Sequence, residues 1–539
     1  MRRNRFLLPV ASLLFSLTGF AQATDARRGL LDIEHYRFSI TLNDENDTIK
    51  GEAIITVKFL QPGTGFDLDL VKTNAAGKGM TVTAIRENDN KTHFSQGEET
   101  VHIDASAAAG ETHWYTIDYE GVPADGLIIA KNKYGHRTFF ADNWPNRAHN
   151  WLPCIDHPSD KASVEFIVTA PEHYQVVSNG ILVEESNLPG HQKLTHWQET
   201  VALPTKIMVI GAAGFAVSHA GDVGCIPVYS WVYPENKDKG FYDYALACQI
   251  LPFFISHIGP YPYRKLANIQ SKTMFGGMEN AGAIFYSENS VKGDRKVEAL
   301  LTHEIAHQWF GDYVTEANWQ HIWLSEGFAT YMTHLYMEKT YGRDSLNQRL
   351  RDDRRDVIAF AAKSNAAVVD TTVNSNFMQL LNANSYQKGG WVLHMLRRKL
   401  GDAAFWKGLQ AYYTRYGGGN ATTADFRKEM EKAGRQNLES FFTQWLYTPG
   451  QPELYAVWQY DETKKKVTIQ LRQKQPAVFS FPLQIAVQAG KQRIVQSYHI
   501  TGRKAMFSIP VAVKPDTVIL DPNVNLLFKG EIKEWFIDL

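Results

Sequence analysis

The chain has 539 residues, with 56 Lys and Arg against 57 Asp and Glu and a formal net charge of −1. That balance argues against a polyanionic partner, so nucleic acid is not implied, and the length allows three or four domains with cores of their own. Three cysteines, Cys154, Cys225 and Cys248, permit at most one disulfide and show no metal-site spacing.

In chain order the first element is a secretory leader over 1–23. Arg2, Arg3 and Arg5 precede an apolar run from Phe6 to Phe20, and Ala21-Gln22-Ala23 offers small residues for cleavage, so the mature chain is expected to begin at Thr24. The run is too short to span a bilayer comfortably, and no later stretch is apolar enough to cross one. An exported protein is expected, soluble in a bacterial periplasm or secreted. Phe38, Ile40 and Leu42 then alternate with polar residues, Asn43 to Asp47 make a turn, and Ile55, Val57 and Phe59 alternate again. This pattern predicts an N-terminal β-sheet domain over 24–217.

From Ile226 helical periodicity takes over, including helices over Phe241–Ile258 and Thr423–Leu446, which predicts a mainly helical domain over 218–450. After Thr448-Pro449-Gly450-Gln451-Pro452, alternation returns in Val467, Ile469, Leu471 and in Leu483, Ile485, Val487. A small β-sandwich over 451–539 follows, and the fold class is multidomain α+β.

The chemistry is concentrated in the helical part. His303-Glu304-Ile305-Ala306-His307 lies within an apolar helical pattern through Leu300, Leu301, Ala306 and Phe310, with Gly311 where a helix can stop. Positions i and i+4 share a helix face, so both imidazoles reach one metal while Glu304 projects toward its open side. Glu326, in Trp323-Leu324-Ser325-Glu326-Gly327-Phe328-Ala329, sits on a second apolar helix running to Gly342. It supplies a third ligand if that helix packs against the first, and three protein ligands with one open position define a hydrolytic zinc site. The expected metal ligands are therefore His303, His307 and Glu326, holding one Zn2+ per chain.

Two further segments accompany this pair. Phe275-Gly276-Gly277-Met278-Glu279-Asn280-Ala281-Gly282 stands shortly before the HExxH helix, and Asn384-Ser385-Tyr386-Gln387-Lys388-Gly389-Gly390 leads into an apolar helix through Val392, Leu393, Met395 and Leu396. With these four segments in this order, the chain resembles the aminopeptidase N family of gluzincin zinc metallopeptidases, which also contains the leukotriene-converting hydrolase. The resemblance implies a thermolysin-like catalytic domain. It implies that Gly276, Gly277, Met278, Glu279 and Asn280 form an edge strand pairing with a peptide substrate, with Glu279 binding the free α-amino group. Phe275 matches a position lining the pocket for the first substrate side chain. Tyr386 matches the tyrosine that stabilises the oxyanion, and Glu304 is the general base. Larger members continue into a helical domain covering the active site, and this chain is expected to be a short member without it.

One segment departs from the family. Family members place a glutamine or glutamate beside the substrate amine, ahead of a Pro-Cys-x-Asp motif that here reads Pro153-Cys154-Ile155-Asp156. The usual segment is replaced by Phe140-Ala141-Asp142-Asn143-Trp144-Pro145-Asn146. Counting back without gaps puts Trp144 on the usual acid and Asp142 on the other polar position, so Asp142 becomes the candidate second amine contact. The function expected is a zinc aminopeptidase acting on peptides with a free N-terminus. A zinc endopeptidase or an epoxide hydrolase on the same site and an inactive exported binding protein remain as alternatives, and no feature of the sequence sets an oligomeric state.

Overall fold

The computed structural model describes residues 25–535; the leader and its cleavage site lie outside the described residues. Strand alternation builds the N-terminal domain. In Leu31–Thr41 a bulge between Ile33 and His35 rephases the pleat, so that Tyr36, Phe38 and Ile40 face inward after Ile33. This strand pairs antiparallel with Ile49–Phe59 and parallel with Ala162–Pro171 inside an eight-stranded sheet. A four-stranded sheet beside it contains Arg137–Ala141, whose end delivers Asp142 and Trp144 toward the next domain.

The middle domain opens with a five-stranded sheet in the order Ala216–Val223, Ile226–Val232, Leu266–Ser271, Ala283–Ser287, Gly277–Met278. The last of these is the edge strand on the side of α3. Around it lie eight principal helices: α1 (Lys237–Tyr244), α2 (Ala247–His257), α3 (Glu298–His307), α4 (Trp323–Tyr341), α5 (Arg343–Ala361), α6 (Gly389–Leu400), α7 (Asp402–Tyr416) and α8 (Thr423–Gly434).

Two of the expected helices are interrupted. The pattern over Phe241–Ile258 is split between α1 and α2, and beside the break the Asp243 carboxylate accepts backbone N–H groups of Lys292, Gly293 and Arg295 at 2.7–2.9 Å, tying this corner to the loop ahead of α3. The pattern over Thr423–Leu446 is cut at Arg435, which adopts a left-handed φ of 50° and ends α8. Periodicity continues across both breaks because the apolar faces on either side bury into the same core, so it is silent about the turn between them.

The C-terminal strands form two sheets, one of four strands and one of three, packed as a sandwich. Arg354 of α5 holds it through Asp521 at 2.9 Å and the Leu526 carbonyl at 2.6 Å, and His394 of α6 reaches the Val524 carbonyl at 3.0 Å. The three cysteines are free thiols, Cys154 buried. Among the described residues no helix is long and apolar enough to cross a membrane.

Candidate active site

Helix α3 buries Leu301 and Ile305 on its inner face, which fixes its rotation and turns His303 and His307 toward α4. Their Nε2 atoms lie 3.1 Å apart, and Glu326 Oε2 lies 3.3 Å from each. Ligands at about 2.0–2.1 Å in tetrahedral array stand about 3.3–3.4 Å from one another, so the three atoms already have the spacing of one face of such a site. The residues present fit a zinc-type cation.

The imidazoles are oriented from behind. His307 Nδ1 lies 3.1 Å from the Phe310 carbonyl and 3.0 Å from Ser325 Oγ, an arrangement that keeps a proton on Nδ1 and would leave Nε2 as the lone-pair atom once a metal displaces its proton. Gly311 allows this contact. Its φ is 117°, and a Cβ there would fall 2.2 Å from Ser325 Oγ and 3.1 Å from His307 Nδ1.

A cavity of about 240 Å³ opens on the triad, and its wall includes Glu279, Glu304 and Tyr386 as well as the three ligand candidates. Glu304 lies against the edge strand, where a Cβ on Gly277 would sit 2.3 Å from Glu304 Oε1. Only glycine leaves room for the carboxylate at that point. Glu279 and Glu304 each bring a carboxylate oxygen within 4.8 Å of each other and of a His307 nitrogen. Tyr386 arrives on a single π-helical turn, Asn384–Lys388, just before α6, with its ring stacked 6.0 Å from that of His303.

The charges around the triad are predominantly negative. Burial pushes Glu304 well above the usual carboxylate range, with His307 opposing and Glu279 and Glu326 adding to the rise. His307, which burial alone would lower, is pushed up to about 10 chiefly by Glu326 and Glu279. Glu326 is held well below its ordinary value by the two imidazoles despite its burial. Three carboxylates facing two imidazoles form a cluster whose negative charge a dication would largely offset, in agreement with the donor geometry. Burial and the nearby Glu326 and Glu279 raise the Tyr386 phenol far above its normal range, so it stays protonated and able to donate.

The remaining sequence candidates fall in three places. Phe275, Gly276, Gly277, Met278 and Glu279 line the cavity, together with Leu300, Leu381 and Trp144. Asn280 is fully buried behind the strand and is not on the cavity wall. Asp142 is not there either, and its assignment as an amine contact is corrected: Oδ1 accepts from Arg147 at 2.7 Å, and Oδ2 accepts from Thr273 Oγ1 and the Met274 N–H at 3.0 Å each. Its carboxylate is spent on holding the loop that leads to Phe275.

Gln308 and Leu381 were not singled out by the sequence. Gln308 Nε2 donates to the Glu279 carbonyl at 2.7 Å and to Asp312 at 2.9 Å, while its Oε1 accepts the Gly282 N–H at 2.8 Å. It thereby fastens the end of the Glu279 segment to the residue following His307. Leu381 follows a short 3-10 turn, where no periodicity marks it.

Fold and site together define a metallopeptidase arrangement in which an HExxH helix is completed by a glutamate from the next helix. Within that class the chain belongs to peptidase family M1. The M1 N-terminal domain matches residues 33–207 and the peptidase family M1 domain matches residues 242–445. It is 27% identical over 444 residues to the probable aminopeptidase 2 of Sulfurisphaera tokodaii, covering 79% of this chain and 55% of that protein. Over 394 residues it is 25% identical to the leucyl aminopeptidase of Saccharolobus solfataricus, covering 69% and 49%. Aminopeptidase M1 of Arabidopsis thaliana is 28% identical over 327 residues, covering 58% and 37%. The chain spans about half the length of the first of these relatives, and less of the Arabidopsis protein.

Proposed function

We propose that this chain is a zinc-dependent aminopeptidase that hydrolyses the first peptide bond of substrates with a free N-terminus. The observation that carries the reading is Glu279: it is buried, it sits at the end of the edge strand in the same cavity as the triad, and its Oε1 has no hydrogen-bond partner. An unpaired buried carboxylate oxygen is costly, and a cationic amine compensates it.

His303, His307 and Glu326 would hold the zinc, which when bound polarises the scissile carbonyl and acidifies water. Glu304 accepts the proton of the attacking water and returns it to the leaving amine, a shuttle suited to a carboxyl beside the triad but outside it. Tyr386 donates its phenolic proton in a hydrogen bond to the developing oxyanion. With the amine held at Glu279, only the first peptide bond reaches the triad, which makes the reaction exopeptidic. The apolar part of the wall, Phe275, Met278, Leu300 and Leu381, favours an apolar first side chain.

A panel of aminoacyl-coumarin amides, each with and without a zinc chelator and each beside its N-acetylated form, tests the reading. Chelator-sensitive cleavage of the free-amine compounds alone is expected. Equal cleavage of acetylated peptides at internal bonds would replace it with an endopeptidase, and turnover of an epoxide but not of amides would replace it with the other hydrolase. Export is part of the same proposal, supported by the Arg2-to-Ala23 leader pattern; N-terminal sequencing of the exported protein is expected to read from Thr24.

A further inference from the structure

We propose that the indole of Trp144 makes the second contact to the substrate's α-ammonium group, a cation–π contact where the family places a carboxylate or amide. This rests on the aminopeptidase reading and deepens it. Asp142, the polar side chain of the same segment, is fully buried off the cavity wall and bonded to Arg147, Thr273 and Met274. Trp144 instead reaches the cavity wall that Glu279 shares.

Three aromatic rings gather here, and their neighbours distinguish them. Phe275 has the Arg147 guanidinium 6.0 Å from its ring centre, and Trp319 has Lys206 Nζ at 5.5 Å and the Phe377 ring stacked on it at 5.4 Å. Trp144 lies between them, at 5.5 Å from Trp319 and 6.1 Å from Phe275 with interplanar angles of 76° and 84°. Both contacts are near-perpendicular, and among the described residues no ring is stacked parallel to the indole. Among the described residues no cation is recorded over Trp144, although it is the strongest cation–π acceptor of the natural side chains. It lines the cavity in which the free oxygen of Glu279 awaits a cation.

A carboxylate and an aromatic face recognise an ammonium differently. The first demands hydrogen bonds, whereas the second responds to charge in a water-poor setting and binds no neutral hydroxyl in the same way. The ligand class is therefore a protonated primary amine held between one anion and one indole.

The test uses the zinc-loaded full chain and two inhibitors sharing a side chain and a metal-binding group: leucine hydroxamate, and its counterpart with a hydroxyl in place of the amine. Ki values are measured for wild type, Trp144→Phe and Trp144→Leu. For Trp144→Leu the amino compound is expected to weaken about five- to thirty-fold, the range of a partly to fully desolvated cation–π contact, while the hydroxy compound shifts less than about twofold. Trp144→Phe falls between the two.

Equal weakening of both compounds would make Trp144 a steric wall and overturn the proposal, as would unchanged Ki values for both. If Trp144→Leu fails to fold, Trp144→Phe decides, because an unchanged ratio of the two Ki values in that variant is also fatal. Failure of the underlying reading looks different: wild type itself would then bind the two compounds alike and cleave acetylated peptides as fast as free ones.

Discussion

Gly327 and Gly389 meet backbone to backbone: a Cβ on Gly327 would lie 2.8 Å from Gly389 Cα, and one on Gly389 would lie 2.9 Å from Gly327 Cα. Contact this close draws α4 against α6, and it sets Tyr386, three residues before Gly389, beside Glu326, the residue before Gly327. Gly327→Ala or Gly389→Ala must spread the two helices. Each is expected to lose about 1–3 kcal/mol, the usual cost of overpacking, and to lower kcat/KM by more than about tenfold through displacement of Tyr386. Thermal melts and steady-state kinetics check both; wild-type activity in either variant means that the crossing distance does not position the tyrosine.

The proposed metal triad predicts different behaviour for its ligands and for the base. His303→Ala, His307→Ala and Glu326→Ala are each expected to reduce bound zinc along with activity, since three protein ligands leave no redundancy. Glu304→Gln keeps its shape and is expected to retain close to one zinc per chain while turnover falls by at least about a hundredfold. Elemental analysis with parallel rate measurements decides, and zinc loss from Glu304→Gln would show that the roles are misassigned.

For Tyr386 the expectation is a split between kinetic constants. In its proposed role the hydroxyl acts mainly in the transition state, so Tyr386→Phe should lower kcat at least about tenfold with little change in KM. A smaller effect on kcat would reduce the tyrosine to a packing residue against His303.

With the proposed amine recognition by Glu279, acetylated substrates are expected to be nearly inert, because an α-amino group with pKa near 8 is largely cationic at neutral pH and the acetylated end carries no charge. Glu279→Ala is expected to lose much of its kcat/KM on free-amine substrates while the penalty for acetylation shrinks. Asp142→Asn loosens the loop ahead of Phe275 and should slow free and acetylated substrates in similar proportion, which a direct amine contact would not do.

Behind the cavity, Lys206 of the N-terminal domain meets Glu316 at 2.6 Å with both side chains almost wholly buried. Removing one partner strands the other charge, so Lys206→Met is expected to cost about 3–5 kcal/mol, whereas Lys206→Met with Glu316→Met recovers much of that loss. Chemical denaturation of the two single variants and the double variant measures the coupling. Additive losses would mean that the pair does not join the two domains energetically.

Much of this was legible in the sequence, and the reason is range. The HExxH spacing, the alternation in Phe38, Ile40 and Leu42, and the breakers at Gly311 and Gly342 are set by contacts within a few residues, which local periodicity records directly. Glu326 could be placed because its own segment carries a helical pattern, and Glu279 because its segment resembles a family motif. By contrast, the partners of Asp142 lie 5 residues away in Arg147 but 131 and 132 residues away in Thr273 and Met274. No local pattern announces such a commitment, and so the carboxylate read as a substrate contact proved to be a brace.

The amino-acid sequence by itself determined the kinds of element and the residues of the triad, because helix and strand periods act over one or two turns, whereas the edge strand beside them was implied by the family resemblance of its Gly-Gly-Met-Glu-Asn segment. Only the tertiary structure decided which side chains face the cavity. Trp144 came onto its wall and Asp142 and Asn280 left it, Gly327 met Gly389, and Lys206 found Glu316. Those outcomes depend on how domains and helices pack at close range, where a single buried charge or Cβ decides the arrangement and chain separation carries no information.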